Sequence, residues 1–235
     1  MNVDDVAFNR EQYATPDNLR ARKAVYESAE GDDPRQFAFE AIAAAQPRRV
    51  LEVGGGEGEL AERIIHELGA ALVAIDQSEA MVEVQRSKGI DARVGDVQAL
   101  HFDDGEFDVA VAAWMLYHVP DLDRGLSELA RVLRPGGTLV AVTNAVDHLA
   151  ELWNLAQRST DMGRFNFRSD NGAEVLRKHF GSVETREAYG SVVMDDAAVR
   201  QYGASWDALA ALVKIPPLAE PVRVGRHSTV FVARK

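Results

Sequence analysis

Val50–Leu60 reads VLEVGGGEGEL, and this stretch decides the fold that the sequence predicts. A β-branched apolar run ends in an acid, and a turn with four glycines follows. Apolar residues then recur with the spacing of one helix face, at Ala61, Ile64, Ile65 and Leu68. Strand, glycine turn and helix predict the opening of a nucleotide-binding βαβ unit, because glycine lets the backbone approach a ligand and a helix start offers free N–H groups.

Strand and helix patterns keep alternating after this stretch. An apolar strand ends in Asp76, Ser78 caps the helix that follows, and Phe107–Ala113 is a near-continuous apolar run typical of a central parallel strand. The alternation predicts an α/β fold with a Rossmann-like, doubly wound sheet. Ser182–Tyr189 and Ser228–Ala233 alternate in polarity, so we expect seven strands, five of them parallel and the last two an antiparallel C-terminal hairpin.

The chain length and polarity divide the sequence into two parts. Residues 1–36 are polar and too short for a domain, and we expect them to form an N-terminal helical lid segment. Residues 37–235 fit a single domain with a sizeable core. Within that domain the regular alternation breaks at residues 144–181 and 190–227, where further helices are predicted.

Composition excludes several classes of function. The net charge of −11 argues against a surface built for nucleic acid, and no apolar run of about 18 residues is present to span a membrane. The absence of cysteine excludes disulfides, thiol nucleophiles and Cys-based zinc sites. The histidines have no metal-ligand spacing, so no metal is expected. The N-terminus lacks the features of a signal peptide, and the expected location is the cytoplasm.

The glycine spacing distinguishes between nucleotide cofactors. A nicotinamide-binding turn has the pattern G-x-G-x-x-G, but counting from Gly54 the last position is Glu59. The pattern that fits is an acid followed by alternating glycines, which stand at Glu52, Gly54, Gly56 and Gly58. The spacing therefore disfavours a dehydrogenase.

Two further carboxylates follow neighbouring strands. Asp76 ends the second strand about twenty residues past the glycines, where an acid can accept both hydroxyls of a ribose and disfavours a 2′-phosphate. Asp96, in Gly95-Asp96-Val97 after the third strand, can accept from an exocyclic amine such as that of adenine. Open α/β sheets bind ligands at this edge, so the sequence predicts one site there.

Five motifs follow one another along the chain: Val50–Gly58, Ile75–Ser78, Gly95-Asp96, Phe107–Val109 and Leu133–Gly137. In this order they resemble the motifs of class I S-adenosylmethionine-dependent methyltransferases. The similarity extends over roughly residues 48–143 and is greatest to the small-molecule branch that includes the ubiquinone/menaquinone-biosynthesis methyltransferases. The resemblance implies that S-adenosylmethionine is the cofactor and S-adenosylhomocysteine the product.

The resemblance also implies a role for each matching residue. Gly54 and Gly56 meet the methionine part of the cofactor, and Glu52 holds that loop and the ammonium side. Gly55 stands where many members have Cys or Ala, a departure that we expect to be harmless. The remaining cofactor contacts are assigned to Asp76 on the ribose, Gln77 and Val97 on the adenine, Asp96 on its amine, and Ala113 through its backbone.

Methyl transfer asks little of side chains, because the sulfonium is already a strong electrophile and positioning can supply most of the catalysis. A base is needed only when the acceptor must lose a proton early. The candidates are His118 and Tyr117, just past the fourth strand, and Tyr13 in the N-terminal segment. Each candidate has an alternative, purely structural role. His118 could hold its loop by hydrogen bonding, and the two tyrosines could serve only in packing.

The segments at 144–181 and 190–227 correspond to those that shape the acceptor pocket in this family. Aromatic residues there are candidates either for an apolar acceptor pocket or for the core; they are Trp153, Phe165, Phe167 and Trp206. The prediction is transfer of a methyl group to an O, N or C atom of a small-molecule acceptor. The alternatives are an NAD-dependent oxidoreductase, an RNA or protein methyltransferase, and a catalytically silent S-adenosylmethionine-binding protein. A homodimer is left open.

Overall fold

The computed structural model describes residues 12–157, 165–205 and 209–235. It confirms the predicted α/β class with one mixed sheet in the order β1-β7-β8-β6-β5-β2-β3-β4. The strands are β1 (Glu30–Gly31), β2 (Arg49–Val53), β3 (Ala71–Asp76), β4 (Asp91–Val94), β5 (Phe107–Ala113), β6 (Leu133–Asn144), β7 (Ser182–Met194) and β8 (Val222–Arg234). Strands β4, β3, β2, β5 and β6 are parallel, so their carboxyl ends share one edge of the sheet.

The antiparallel part of the sheet is larger than the sequence predicts. β8 lies between β6 and β7 and is antiparallel to both, as expected for the terminal hairpin. Each hairpin strand has 13 residues, several more than the alternation indicates. The described sheet also has an eighth strand, because Glu30 and Gly31 pair with Ser191 and Gly190 at its edge. Two residues carry no readable periodicity, so the prediction of seven strands was one too few.

Helices cover both faces of the sheet. They are α1 (Asp17–Ala24), α2 (Pro34–Ala44), α3 (Glu59–Leu68), α4 (Glu79–Ser87), α5 (Leu122–Val132), α6 (Ala150–Leu155), α7 (Gly172–Arg177) and α8 (Asp196–Ala204). Short 3-10 turns occur at Leu116–His118 and Leu212–Lys214. Apolar residues of α2, α3 and α4 form the core on one face, and those of α5 and α7 form the core on the other.

A third apolar cluster supports the end of the hairpin that extends past the parallel strands. Residues of α6 and α8 pack there on Val192, Met194 and Val224. This cluster lies in the two segments where the sequence predicts further helices. The predicted helix from Trp206 falls partly outside the described residues, and Trp206 itself is not described.

None of the helices that the structure describes is both long and apolar enough to cross a membrane. Within the same residues, no group of three or more His, Cys, Asp and Glu side chains is placed to hold a metal ion.

Candidate active site

A cavity of about 340 Å³ lies along the edge where the parallel strands end. It extends from the turns after β2, β3 and β4, past the ends of β5 and β6, to the first half of β8. Predicted residues that line it are Tyr13, Glu52, Gly54, Gly55, Gly56, Asp76, Gln77, Val97, Ala113, Tyr117 and His118. The fold therefore brings almost all of the predicted site residues to one cavity.

The glycine turn has the geometry that its alternating spacing indicates. Gly54 and Gly56 have φ angles of 65° and 59°, in the left-handed region that L side chains rarely adopt. A β-carbon on Gly54 would lie 2.8 Å from Met115 Cβ, and one on Gly56 would lie 2.9 Å from Leu19 Cδ2. Buried Gln85 donates a 2.7 Å hydrogen bond to the Gly56 carbonyl, which fixes the turn further. The backbone is thus held open toward the cavity.

Glu52 is a buried acid with an unsatisfied oxygen. Its side chain is 1% exposed, and its Oε2 atom has no hydrogen-bond partner among the described residues. Burial raises the pKa of Glu52 to about 7, and the charges of Asp76 and Glu59 add to the effect. A carboxylate in such surroundings is costly unless a cation or donor accompanies it.

Gly55 leaves space for the Glu52 side chain, a role that the sequence does not indicate. A β-carbon there would lie 2.2 Å from Glu52 Oε2, so the Glu52 carboxylate occupies the space that a side chain at position 55 would need. Glycine at position 55 is therefore what allows the carboxylate to take this position, and the expectation that the departure from Cys or Ala is harmless stays a prediction. The sequence could not reveal the contact, because the side-chain conformation of Glu52 is set by its surroundings.

Asp76 is the second buried acid of the cavity. Desolvation raises its pKa to about 6, although backbone N–H groups of Ser78, Gly56 and Gln77 lower it in part. The Ser78 N–H donates to Asp76 Oδ1 at 2.9 Å. Ser78 Oγ accepts from Met81 N as the helix cap and donates to the Tyr13 carbonyl at 2.7 Å, which ties the N-terminal segment to this turn.

Asp96 is the exception among the predicted carboxylates. Gly95 and Val97 line the cavity, but Asp96 is not among its lining residues. Its carboxylate accepts from the backbone N–H and the side-chain amide of Gln98, at 2.9 Å and 3.0 Å. Its assignment to the adenine amine stays a prediction.

The three candidate catalytic residues meet in one cluster. Tyr13 Oη lies 3.2 Å from His118 Nε2, although the two residues are 105 positions apart in sequence. The Tyr117 ring lies 4.5 Å from the His118 ring and 5.2 Å from the Phe165 ring. Burial raises the pKa of both tyrosine hydroxyls, so both stay protonated at neutral pH. Of these three side chains, the imidazole of His118 is the type that commonly serves as a general base.

The far end of the cavity is polar, which the sequence did not indicate. Tyr26 Oη lies 3.1 Å from His148 Nε2 and 3.0 Å from Tyr202 Oη, and burial lowers the pKa of His148 to about 4. Beside them, Asn144 Oδ1 accepts from Trp114 Nε1 at 2.8 Å and from Ser228 Oγ at 3.0 Å. Arg226 completes this end, with its guanidinium 5.3 Å from the centre of the Tyr26 ring.

Three of the four aromatic residues considered for the acceptor pocket are described, and none of these three lines the cavity. Trp153, Phe165 and Phe167 are buried and are not among the residues that line the cavity. Phe167 packs on Phe231 in the core, and Trp153 belongs to the cluster under the hairpin. The core interpretation is therefore right for Trp153 and Phe167, whereas Phe165 packs on Tyr117 beside the cavity.

The two buried acids fit the cofactor that the resemblance implies. S-adenosylmethionine carries an ammonium group and a ribose diol. The unsatisfied Glu52 oxygen offers an acceptor for the first, and the Asp76 carboxylate offers acceptors for the second. The left-handed glycines between them leave the room that a backbone contact needs.

Comparison with known proteins agrees with this geometry. The family model described as Methyltransferase domain matches residues 51–141. A ubiquinone/menaquinone biosynthesis C-methyltransferase of Saccharophagus degradans is 35% identical over 117 residues, which cover 45% of this chain and 47% of that enzyme. The chain thus spans about half the length of the quinone methyltransferases that it matches.

Two further comparisons extend beyond the motif region. The structure of BH2331 from Bacillus halodurans has a TM-score of 0.62 at 19% identity, over 85% of this chain and 99% of that one, which shows the fold. An uncharacterised methyltransferase of Mycobacterium bovis is 36% identical over 172 residues, which cover 70% of this chain and 69% of that protein. With the motifs and the fold in agreement, the chain belongs to the class I S-adenosylmethionine-dependent methyltransferases.

Proposed function

We propose that this protein transfers a methyl group from S-adenosylmethionine to an O, N or C atom of a small-molecule acceptor by in-line displacement. The observation that carries the proposal is the unsatisfied buried carboxylate of Glu52, which shares a cavity with Asp76 beside the left-handed glycine turn. When bound, the cofactor supplies an electrophilic methyl group on a cationic sulfur. The protein's contribution is to bind, orient and exclude water.

Each side chain has a defined part in this scheme. Glu52 would hold the ammonium group, and Asp76 would accept from the ribose hydroxyls. His118 Nε2, in hydrogen-bond contact with Tyr13, can take a proton from an acceptor hydroxyl or amine when one must leave. Tyr13 and Tyr117 stay neutral and position the imidazole. For an acceptor that needs no early deprotonation, Tyr13, Tyr117 and His118 would serve only to pack against it.

A titration separates this function from the dehydrogenase alternative. We expect S-adenosylhomocysteine to bind in a calorimeter, and NADH fluorescence to remain unchanged when the protein is added. The opposite pair of results would favour the oxidoreductase. A catalytically silent binding protein would bind S-adenosylhomocysteine but would not transfer a labelled methyl group to any acceptor.

A small-molecule acceptor and a cytoplasmic location belong to the same proposal. The net charge of −11 supports the first, because an RNA methyltransferase would need to attract phosphate. Affinity for RNA that falls steeply with salt would favour the RNA alternative instead.

Replacement of His118 distinguishes a base from a structural residue. If His118 is the base, His118→Ala should lower turnover roughly 100-fold or more, the scale of general-base catalysis, and leave the affinity for S-adenosylhomocysteine unchanged. Turnover is measured with labelled cofactor and the acceptor, and affinity by calorimetry. His101→Ala, at an exposed position outside the cavity lining, is the matched control. A lower melting temperature with intact turnover would assign His118 to the structure alone.

We also propose that the N-terminal segment acts as a lid, because three ion pairs join α1 to the glycine turn and the helix after it. Arg20 contacts Glu57 at 2.7 Å, and Lys23 contacts Glu59 at 2.6 Å and Glu57 at 3.7 Å. The double variant Arg20→Ala/Lys23→Ala should release S-adenosylhomocysteine about twofold to thirtyfold faster, since each of the two cations loses a partly exposed pair that contributes about 0.2–1 kcal/mol. Stopped-flow dissociation measures this rate, and Arg63→Ala, which removes a surface pair with Glu67, is the control. Equal rates in all three proteins would contradict the lid.

A further inference from the structure

The end of the cavity at β8 contains an arginine, Arg226, that has no ion-pair partner among the described residues. Arg226 lies on β8 and is half-buried, and burial lowers its pKa. Among the described residues its guanidinium makes no hydrogen bond and no ion pair within 4 Å; its neighbour is the face of the Tyr26 ring. A partly buried cation is costly when nothing pairs with it, so an anion bound at this end of the cavity would be stabilised by Arg226.

The acidic groups near Arg226 have other partners. The carboxylate whose charge reaches it is Asp33, which caps α2 by accepting from Arg35 N at 2.9 Å. Glu151, on α6, accepts from the backbone N–H of Gly225 at 2.9 Å. The neighbouring Arg223 differs, because it is paired with Glu30 at 2.9 Å.

Other donors line the same cavity as Arg226. Arg35 lines the mouth of the cavity and is exposed, and among the described residues its guanidinium also has no ion pair. Asn144 accepts two hydrogen bonds through Oδ1, so its Nδ2 remains as a donor without a partner in the described part of the chain. Hydrogen-bond donors and positive charge together match an oxyanion, and an arginine can bind a carboxylate through two parallel hydrogen bonds.

The arginine and the cofactor acids lie at different ends of the cavity. In the sheet, β8 is three strands away from β2, with β6 and β5 between them. Strands are spaced about 4.8 Å apart, so Arg226 and Glu52 lie on strands separated by roughly 14 Å. An anion at Arg226 would therefore not compete with the groups assigned to the cofactor.

We infer that the methyl acceptor is a small molecule with an anionic group, of the carboxylate class, which Arg226 binds and Arg35 attracts. The inference rests on the proposed function, since it assigns the second substrate of the same cavity. It also disfavours a fully apolar acceptor such as a long-chain quinone, because such a molecule would leave the Arg226 charge unpaired.

A pair of isosteric probes tests the inference. Benzoate and benzamide, which differ in charge, are titrated by NMR into protein saturated with S-adenosylhomocysteine. We expect benzoate to bind at least about tenfold more tightly, the scale of a charge-assisted hydrogen bond. Arg226→Gln should weaken benzoate about tenfold or more and leave benzamide and S-adenosylhomocysteine unchanged, whereas Arg223→Gln, the matched control, should change none of them.

Arg35→Gln provides a second variant, at a side chain that is exposed rather than packed in the core. It should weaken benzoate by a smaller factor, about threefold, because a charge at the mouth is screened by water. Equal binding of the two probes, no benzoate binding up to roughly 10 mM, or full benzoate affinity in Arg226→Gln would each overturn the inference. Failure of the unmodified protein to bind S-adenosylhomocysteine would instead overturn the proposed function.

Discussion

Asp76→Ala is expected to weaken the binding of S-adenosylhomocysteine by roughly 1.5–3 kcal/mol, the scale of lost charge-assisted hydrogen bonds. The ribose hydroxyls would lose their acceptor at the end of β3, where burial has already removed competing water. Isothermal calorimetry at neutral pH or above measures the effect, since the pKa of Asp76 is about 6 and the carboxylate must be charged.

The conservative variant Asp76→Asn distinguishes the role of the Asp76 charge in binding from the role of its side chain in holding the turn. It keeps an Oδ1 atom to accept from Ser78 N, so the turn should survive. We expect Asp76→Asn to weaken binding almost as much as Asp76→Ala does, because the amide cannot accept from two hydroxyls. Asp91→Ala, at a surface position paired with Arg93, is the control and should leave affinity unchanged. Unchanged affinity in both Asp76 variants would contradict the ribose assignment.

Glu52→Gln is expected to stabilise the ligand-free protein while weakening the cofactor site. The pKa of Glu52 is about 7 in the folded protein and 4.5 in the unfolded chain, so the folded state holds the extra proton between these values. Stability from this group is therefore highest below about pH 4.5 and falls as pH rises toward 7. At pH 8 the charged carboxylate destabilises the fold by up to about 3 kcal/mol, and glutamine removes that cost.

Two measurements check the Glu52 prediction. Urea unfolding at pH 8 should show Glu52→Gln to be more stable than the unmodified protein, and the difference should shrink as pH falls. Calorimetry should show weaker binding of S-adenosylhomocysteine, since the ammonium group loses its carboxylate. Glu67→Gln, at a half-exposed surface position, should change neither property. A Glu52→Gln protein that is less stable at pH 8, or that binds with full affinity, would contradict the account.

The geometry of the proposed cofactor end could be predicted from sequence because each of its signals is local. Gly54 and Gly56 need left-handed backbone, and Asp76 follows its strand directly. These residues come together because the carboxyl ends of parallel strands share one edge of the sheet. Two features could not be predicted from sequence because they depend on side-chain packing. They are the unsatisfied oxygen of Glu52 and its close approach to position 55.

The proposed acceptor end could not be predicted, because its residues come from distant elements. Tyr26, His148, Tyr202 and Arg226 lie on or beside α1, α6, α8 and β8, and no spacing in the sequence links them. Their side chains meet only after the hairpin has extended past the parallel strands. The contact between Tyr13 and His118 was missed for the same reason, although both residues were candidates.

A crystal structure of the protein with S-adenosylhomocysteine tests the central claim most directly. We predict that the amino group contacts Glu52, the ribose hydroxyls contact Asp76, and the sulfur faces the part of the cavity between His118 and Arg226. A ligand bound elsewhere, or one that leaves Glu52 and Asp76 without contact, would contradict the assignment of this cavity as the methyl-transfer site.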